Sequence, residues 1–340
     1  REEGPNKVLT CDTTSVELEG SSSTPGATFS WAGPNGATFD PSNTNATPIV
    51  NLPGTYTLTV TGPNGCIATD AVVVTEDKVP PTVTVTGGVL TCLKTSLTLT
   101  ANASSGVTYL WSGTDVNGLT TQSVTVDSAG IYTVTVTKTS SGCVASDTAI
   151  VTENKVKPTV DLNTIKLTCA SPSQTLTATV TNGGTASYVW TVPAGVTNPG
   201  NVASFAVTVP GSYSVLVTNS INGCSNAAST AVTQDSLNPE VSLNPLTLTC
   251  ASPSQTLTVA VTNAGATPSY SWTVPNGVTN PGNVAGFAVT ATGTYSVEVT
   301  NTINGCKATA TTSVTADTAK VKVTLNPITL TCASPSQTLT

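Results

Sequence analysis

The sequence predicts an all-β chain, built as a tandem array of small antiparallel β-sandwich domains with about seven strands and one disulfide each. Three observations predict it. The stretch Leu-Thr-Cys-Ala-Ser-Pro-Ser-Gln-Thr-Leu-Thr recurs letter for letter at 167–177, 248–258 and 330–340, with looser versions at Leu9–Cys11 and Leu90–Cys92. Each copy but the last is followed by a Trp on an alternating run, then by Gly-x-Tyr, then by Gly-Cys. Throughout, Val, Leu and Ile alternate with Thr and Ser at period two, giving a strand one apolar and one hydroxyl face.

The early cysteines Cys11, Cys92, Cys169, Cys250 and Cys332 set a period of about 80 residues, and a fixed period of this kind overrides the domain count that length alone suggests. It divides the chain into modules at 1–76, 77–153, 154–234 and 235–316, and 317–340 opens an incomplete fifth. Module 2 shows the plan. Thr82–Thr86 alternates, Gly87-Gly88 turns, and Val89–Cys92 makes a short second piece. Ser96–Thr100, the Trp strand Thr108–Ser112, Ser123–Asp127 and Gly130–Thr137 follow, and Thr148–Thr152 closes the module. About seven short strands with turns every 8–12 residues is the pattern of an antiparallel sandwich. No window supports a helix of useful length.

Module 1 lacks such an opening strand, because Arg1–Lys7 offers no Val-x-Val, whereas Val321–Leu325 is an opening strand whose module is unfinished. Two readings follow: an excerpt from a longer protein, or a subunit that donates its trailing strand to the next copy's first module. The chain begins at Arg1 without Met, as a processed or excerpted chain would. Linkers of about five residues, often with Pro, leave little slack, so a semi-rigid rod is expected.

Only 9% of residues are charged and the net charge is −7. There is no basic stripe for nucleic acid or an anionic membrane surface, and no apolar run long enough for a membrane span. Cysteines fall one early and one late per module: Cys11/Cys66, Cys92/Cys143, Cys169/Cys224 and Cys250/Cys306. Small secreted domains commonly add a crosslink to a modest core. The expectation is one intramodule disulfide per pair, with Cys332 left unpaired in this chain. Reduced core cysteines are the alternative.

Catalysis has no framework. The chain has no His, which removes Ser/His/Asp and Cys/His arrangements and His ligation of metal. Carboxylates stand singly, so paired acid/base chemistry is not supported. The charged linkers carry one or two carboxylates, too few for Ca²⁺. No enzyme activity, metal or cofactor is expected. The aromatics fall at repeated positions: Trp31, Trp111, Trp190 and Trp272, each two residues after Phe29, Tyr109, Tyr188 or Tyr270; then Phe39, Phe205 and Phe287; and Tyr56, Tyr132, Tyr213 and Tyr295 after Gly-x. Residues two apart on a strand share a face, so these are structural core positions and leave little surface for stacking a sugar.

The run Leu-Thr-Cys…Tyr-x-Trp…Gly-Thr-Tyr-x-Val-x-Val-Thr…Asn-Gly-Cys resembles the Ig-like and PKD-like repeats of very large Bacteroidetes cell-surface proteins, the gliding adhesins and filaments exported by the type IX secretion system. The resemblance implies Ig-like sandwiches in an extracellular stalk or adhesive fibre. Its expected partners are copies of the chain itself, as a homo-oligomer or filament, with a cell-surface glycan or protein as the rival partner. In antibody-type domains a Tyr stands two residues before the second Cys. Here the Tyr precedes it by 10 or 11, so the expected disulfide ties the start of the last strand to the Leu-Thr-Cys segment near one end of the sandwich. Asp-(Ser/Thr)-(small or aliphatic) triplets at Asp12, Asp127, Asp147, Asp235 and Asp317 resemble the O-glycosylation motif of these secreted proteins, which makes Thr13, Ser128, Thr148, Ser236 and Thr318 candidate acceptors; chance is the competing reading in a Thr/Ser-rich chain.

Overall fold

A computed structural model describes residues 7–325 and 327–338. The described residues form 28 strands and no helix. The chain divides into two compact units. Unit 1 takes the described residues up to Lys157 together with Asn219–Cys224; unit 2 takes Pro158–Thr218 and everything from Ser225.

Unit 2 shows the sandwich in full. Thr159–Leu162, Gln174–Thr181 and Ser204–Val207 form one antiparallel sheet. Ile165–Thr168, Ser225–Asp235, Gly211–Asn219 and Ala186–Thr191 form the other, in that order. The inner faces meet over one core that includes Leu167, Leu176, Trp190, Tyr213, Val215 and Val232. The same seven strands recur from Glu240–Leu243 to Lys307–Asp317, around Leu248, Leu257, Trp272, Tyr295 and Val297.

Unit 1 holds two further sandwiches. One has a sheet ordered Val107–Ser112, Gly130–Lys138, Val144–Asn154, Gly88–Thr91, packed on the strand pairs Val83–Thr84/Asn102–Ala103 and Leu97–Thr100/Ser123–Val126. The other pairs Lys7–Thr10, Ile67–Asp77, Gly54–Thr61 and Thr28–Ala32 in one sheet, and Val16–Glu17 with Ile49–Val50 in the second. Its second sheet has two strands, where Gln174–Thr181 and Gln255–Thr262 each have an opening strand beside them. The expected vacancy over Arg1–Lys7 falls almost wholly outside the described residues. At the other end, Val321–Leu325 is exposed and forms no strand.

The four Trp side chains are 1–4% exposed and the four Gly-x-Tyr tyrosines are fully buried. Burying rings of this size removes on the order of 150–250 Å² each from water, about 4–6 kcal/mol per ring at ~25 cal/mol/Å². Each indole N–H is satisfied by a carbonyl in the following loop: Asn45, Thr121, Val202 or Val284. Every tyrosine hydroxyl donates to the carbonyl four residues upstream: Leu52, Ser128, Val209 or Ala291. This is the tyrosine corner of Ig sandwiches. Two residues on, where an antibody domain carries its second Cys, stand the buried Leu58, Val134, Val215 and Val297.

One pairing positions everything that follows. The Leu-Thr segment before each early Cys runs parallel to the last strand of its own sandwich, ending in register at Thr10↔Asp77, Thr91↔Asn154, Thr168↔Asp235 and Thr249↔Asp317. The early Cys therefore leaves at the far end of the last strand. The late Cys stands at the near end, eleven residues earlier in every case. Eleven strand residues span ~36 Å at ~3.3 Å each, whereas disulfide Cα atoms stand no more than ~7 Å apart.

Candidate functional site: disulfide joints between successive sandwiches

This register overturns the expected intramodule disulfides. Cys11 is bonded to Cys143, Cys92 to Cys224 and Cys169 to Cys306, with Cα separations of 5.0, 5.0 and 4.9 Å. Each bond joins the early Cys of one module to the late Cys of the next. Cys66 and Cys250, expected in pairs with Cys11 and Cys306, are exposed free thiols, as is Cys332. The early Cys leaves the exit end of its sandwich, so only the entry turn of the following one comes within reach.

The joint at Cys92–Cys224 is built from a hairpin turn and a strand end. The Asn222 carbonyl accepts from the N–H groups of Cys92 and Leu93, at 3.0 and 3.4 Å. The Asn222 amide is 1% exposed and fully engaged. Its Nδ2 donates to the Asn154 side chain at 3.0 Å and to the Val156 carbonyl at 2.9 Å, and its Oδ1 accepts from the Cys224 N–H. The joint at Cys169–Cys306 repeats this. The Asn304 carbonyl accepts from the Ala170 N–H, Nδ2 donates to Asp235 Oδ1 and the Leu237 carbonyl, and Oδ1 accepts from the Cys306 N–H. The Asn304 amide, then Lys166 at 2.9 Å, hold the Asp235 carboxyl below its ordinary value.

At Cys11–Cys143 a serine replaces that asparagine. The Ser141 carbonyl still accepts from Cys11 and Asp12, but its buried hydroxyl has no hydrogen-bond partner. Ser141 is too short to reach the preceding strand end. Lys138 takes over, its Nζ lying 2.8 and 2.9 Å from the two Asp77 carboxylate oxygens.

The glycine before each bonded late Cys is required twice. Gly142, Gly223 and Gly305 have φ of +65°, +69° and +72°, which suits glycine and strains other residues. A Cβ there would also overlap the residue after the partner Cys: Asp12, Leu93 or Ala170. The sequence marks Asn-Gly as a tight turn. Its second duty, leaving room for the neighbouring module's loop, carries no separate signal, and neither does the buried role of Asn222 and Asn304.

The remaining predicted positions are distributed as follows. Phe29, Tyr109, Tyr188 and Tyr270 pack partly buried against the same cores as their Trp neighbours. Phe205 and Phe287 meet Trp190 and Trp272 edge-on at 4.9 and 5.0 Å between ring centres. Thr13, Thr148, Ser236 and Thr318 are exposed, while Ser128 is half-buried in the turn whose carbonyl holds Tyr132. Among the described residues no group of three or more Cys, Asp or Glu is placed to hold a metal ion, and no helix is long and apolar enough to cross a membrane. In the loop Pro193–Asn201, Asn198 donates to the Trp190 carbonyl and Asn201 accepts from the Tyr188 N–H. In Pro275–Asn283, Asn280 and Asn283 do the same with Trp272 and Tyr270.

No protein-family profile and no curated protein sequence matches the chain. Among solved structures it is similar to Sidekick-1 immunoglobulin domains 1–5, at 14% identity over 92% of this chain and 79% of that one, with a TM-score of 0.32. It is similar also to the I-band fragment I67–I69 of titin, at 13% identity over 71% of this chain and all of that one, with a TM-score of 0.34. The N-terminal eight Ig domains of Down syndrome cell adhesion molecule match at 15% identity over 92% of this chain and 46% of theirs, with a TM-score of 0.28. The fold is Ig-like: all-β sandwiches in tandem, with tyrosine corners and disulfides between successive modules.

Proposed function

We propose that the chain is a structural and adhesive stretch of a long extracellular fibre, with modules at 1–76, 77–153, 154–234 and 235–316 and a fifth opening at 317–340. The observation that carries this reading is the disulfide from each module to the next. Each bond runs beside a linker, at Lys78–Pro81, Lys155–Pro158 and Ser236–Pro239, so tension between neighbouring sandwiches has a covalent path that avoids the linker. Structural disulfides persist in oxidising surroundings, which supports a place outside the cell. The resemblance of the Tyr-x-Trp…Gly-x-Tyr…Asn-Gly-Cys pattern to Bacteroidetes surface repeats supports an appendage exported by the type IX system and used for attachment, motility or prey capture. Partners in this reading are further copies of the chain, and the exposed hydroxyls of Thr13, Thr148, Ser236 and Thr318 are acceptors for sugar. The rival, a glycan- or protein-binding module working through Pro193–Asn201 and Pro275–Asn283, gains no support from loops whose asparagines hold the Trp strand.

Limited trypsin digestion tests the reading. Lys78 and Lys155 are exposed in the first and second linkers. Protein nicked there is expected to stay in one piece without reductant and to separate into fragments with it. Separation without reductant would remove the covalent bypass and this reading with it. Reproducible binding of one defined sugar on a glycan array would replace it with the rival.

A further inference from the structure

The three joints share one plan, and the chain carries both halves of it once more, apart. The turn Asn64-Gly65-Cys66 matches Asn222-Gly223-Cys224 and Asn304-Gly305-Cys306 residue for residue. Asn64 Oδ1 already accepts from the Cys66 N–H, at 3.2 Å, as Asn222 and Asn304 do in occupied joints. Gly65 has the same left-handed φ, +79°. A Cβ on Gly65 would meet nothing within 4 Å, whereas at Gly142, Gly223 and Gly305 the partner loop fills that space. Cys66 is an exposed thiol in front of this gap.

The complementary half stands at the end of the fourth sandwich. Thr249 is in register with Asp317, as Thr168 is with Asp235. Cys250 follows it as an exposed thiol and occupies the position that Cys169 holds in the joint to Cys306. Asp317 and the Ala319 carbonyl correspond to Asp235 and the Leu237 carbonyl, the two acceptors of the Asn304 amide. Cys332 has the same sequence around it but no last strand beside it among the described residues.

We propose that Asn64-Gly65-Cys66 of one copy of this chain and Cys250-Ala251 of another form a fourth joint, which extends the disulfide ladder from chain to chain, head to tail. This rests on the fibre reading above and specifies its partner as a second copy. The Cys66 and Cys250 thiols become one disulfide by two exchanges with a small-molecule disulfide such as oxidised glutathione. The first thiolate displaces one glutathione to form a mixed disulfide, and the second thiolate displaces the other, so two protein thiols are oxidised and two glutathione thiols released. Asn64 Nδ2 then donates to Asp317 and the Ala319 carbonyl. The segment 322–325 follows Asp317 at the offset by which Glu240–Leu243 follows Asp235. Glu240–Leu243 pairs with the residues 9–12 positions after Cys250, so 322–325 reaches residues 20–23 of the second copy, the same distance after Cys11. There β-strand addition supplies the opening strand of that sheet. A contact of two different surfaces repeats from copy to copy, giving filaments when the rotation between copies does not close a ring.

The test uses the full chain carrying Cys332→Ser, oxidised at increasing protein concentration in a glutathione redox buffer. Half of the sample is isotopically labelled, and disulfide-linked peptides are identified by mass spectrometry. The expected result is a reducible ladder of multimers in which a Cys66 peptide is bonded to a Cys250 peptide of the other isotope. Cys66→Ser or Cys250→Ser alone abolishes the ladder, and an equimolar mixture of the two variants stops at dimers. Thiols that stay free, Cys66–Cys66 or Cys250–Cys250 links, or Cys66–Cys250 links with no mixed-isotope pairs among them would each overturn the proposal. The same spectra report Cys11–Cys143, Cys92–Cys224 and Cys169–Cys306. Absence of those bonds would instead refute the internal ladder on which the fibre reading stands.

Discussion

Tension on the oxidised chain takes a short covalent route. The backbone runs without interruption from Cys11 to Cys306, but the bonds reduce that path to Cys11–Cys143, the stretch from Cys143 to Cys169, and Cys169–Cys306. At a limit of ~3.5 Å per residue, the full path of roughly 300 residues reaches about 1,000 Å, and the bridged path of roughly 25 residues reaches about 90 Å. Most of the stretch from Cys143 to Cys169 lies in the strands Val144–Asn154, Thr159–Leu162 and Ile165–Thr168. Tethered by its two termini in optical tweezers, the oxidised chain is expected to reach no more than about 300 Å before a covalent bond fails, with the excess contributed by residues outside the bridged region. Reductant then adds about 900 Å in steps as successive modules unfold. An oxidised chain that releases module-sized steps and passes that limit would refute the ladder, because intramodule bonds would leave every linker on the path of the force.

Three further perturbations address the joints and the sandwiches separately. Gly305→Ala places a Cβ at φ +72° against Ala170; it is expected to cost about 1–3 kcal/mol for the backbone alone and more for the overlap, whereas Gly65→Ala, at φ +79° in open space, costs only the backbone part, and equal costs in denaturant melts would contradict the contact. Tyr213→Phe removes the hydroxyl that donates to the Val209 carbonyl at 2.9 Å and is expected to cost about 1 kcal/mol in urea unfolding, with no loss if that corner is not formed. The Asp235 carboxyl is held below its ordinary 3.8 by the Asn304 amide and then Lys166, so its stabilisation is complete above that value and is lost as pH falls through the lower folded value. The melting temperature of the native chain should therefore exceed that of Asp235→Asn at about pH 6, with the gap closing below about pH 4; a gap independent of pH would remove Asp235 from the joint.

What the sequence made legible depends on the range of the signal. Period-two alternation is local, so strands such as Gly211–Asn219 and Gly293–Thr300 stand close to where their Val/Thr pattern places them. Trp190 and Tyr213 fall in the core because aromatics at repeated positions have no other economical place. The disulfide partners were not legible. Early and late cysteines recur at nearly constant separation within a module, as regularly as the 132, 132 and 137 of the bonds formed, so spacing cannot choose between the two pairings. The choice is made by strand direction. The Leu-Thr segment runs parallel to the last four residues of the last strand of its sandwich, so its Cys leaves past the far end, eleven residues from the late Cys of its own module. Run antiparallel over the same residues, it would instead point back along the strand, toward that late Cys. Alternation reads the same in both directions along a strand, so it is blind to this reversal. The one local trace of the outcome is the glycine of Asn-Gly-Cys. A tight turn accounts for its positive φ, but only a neighbouring chain segment accounts for the loss of all room for a Cβ.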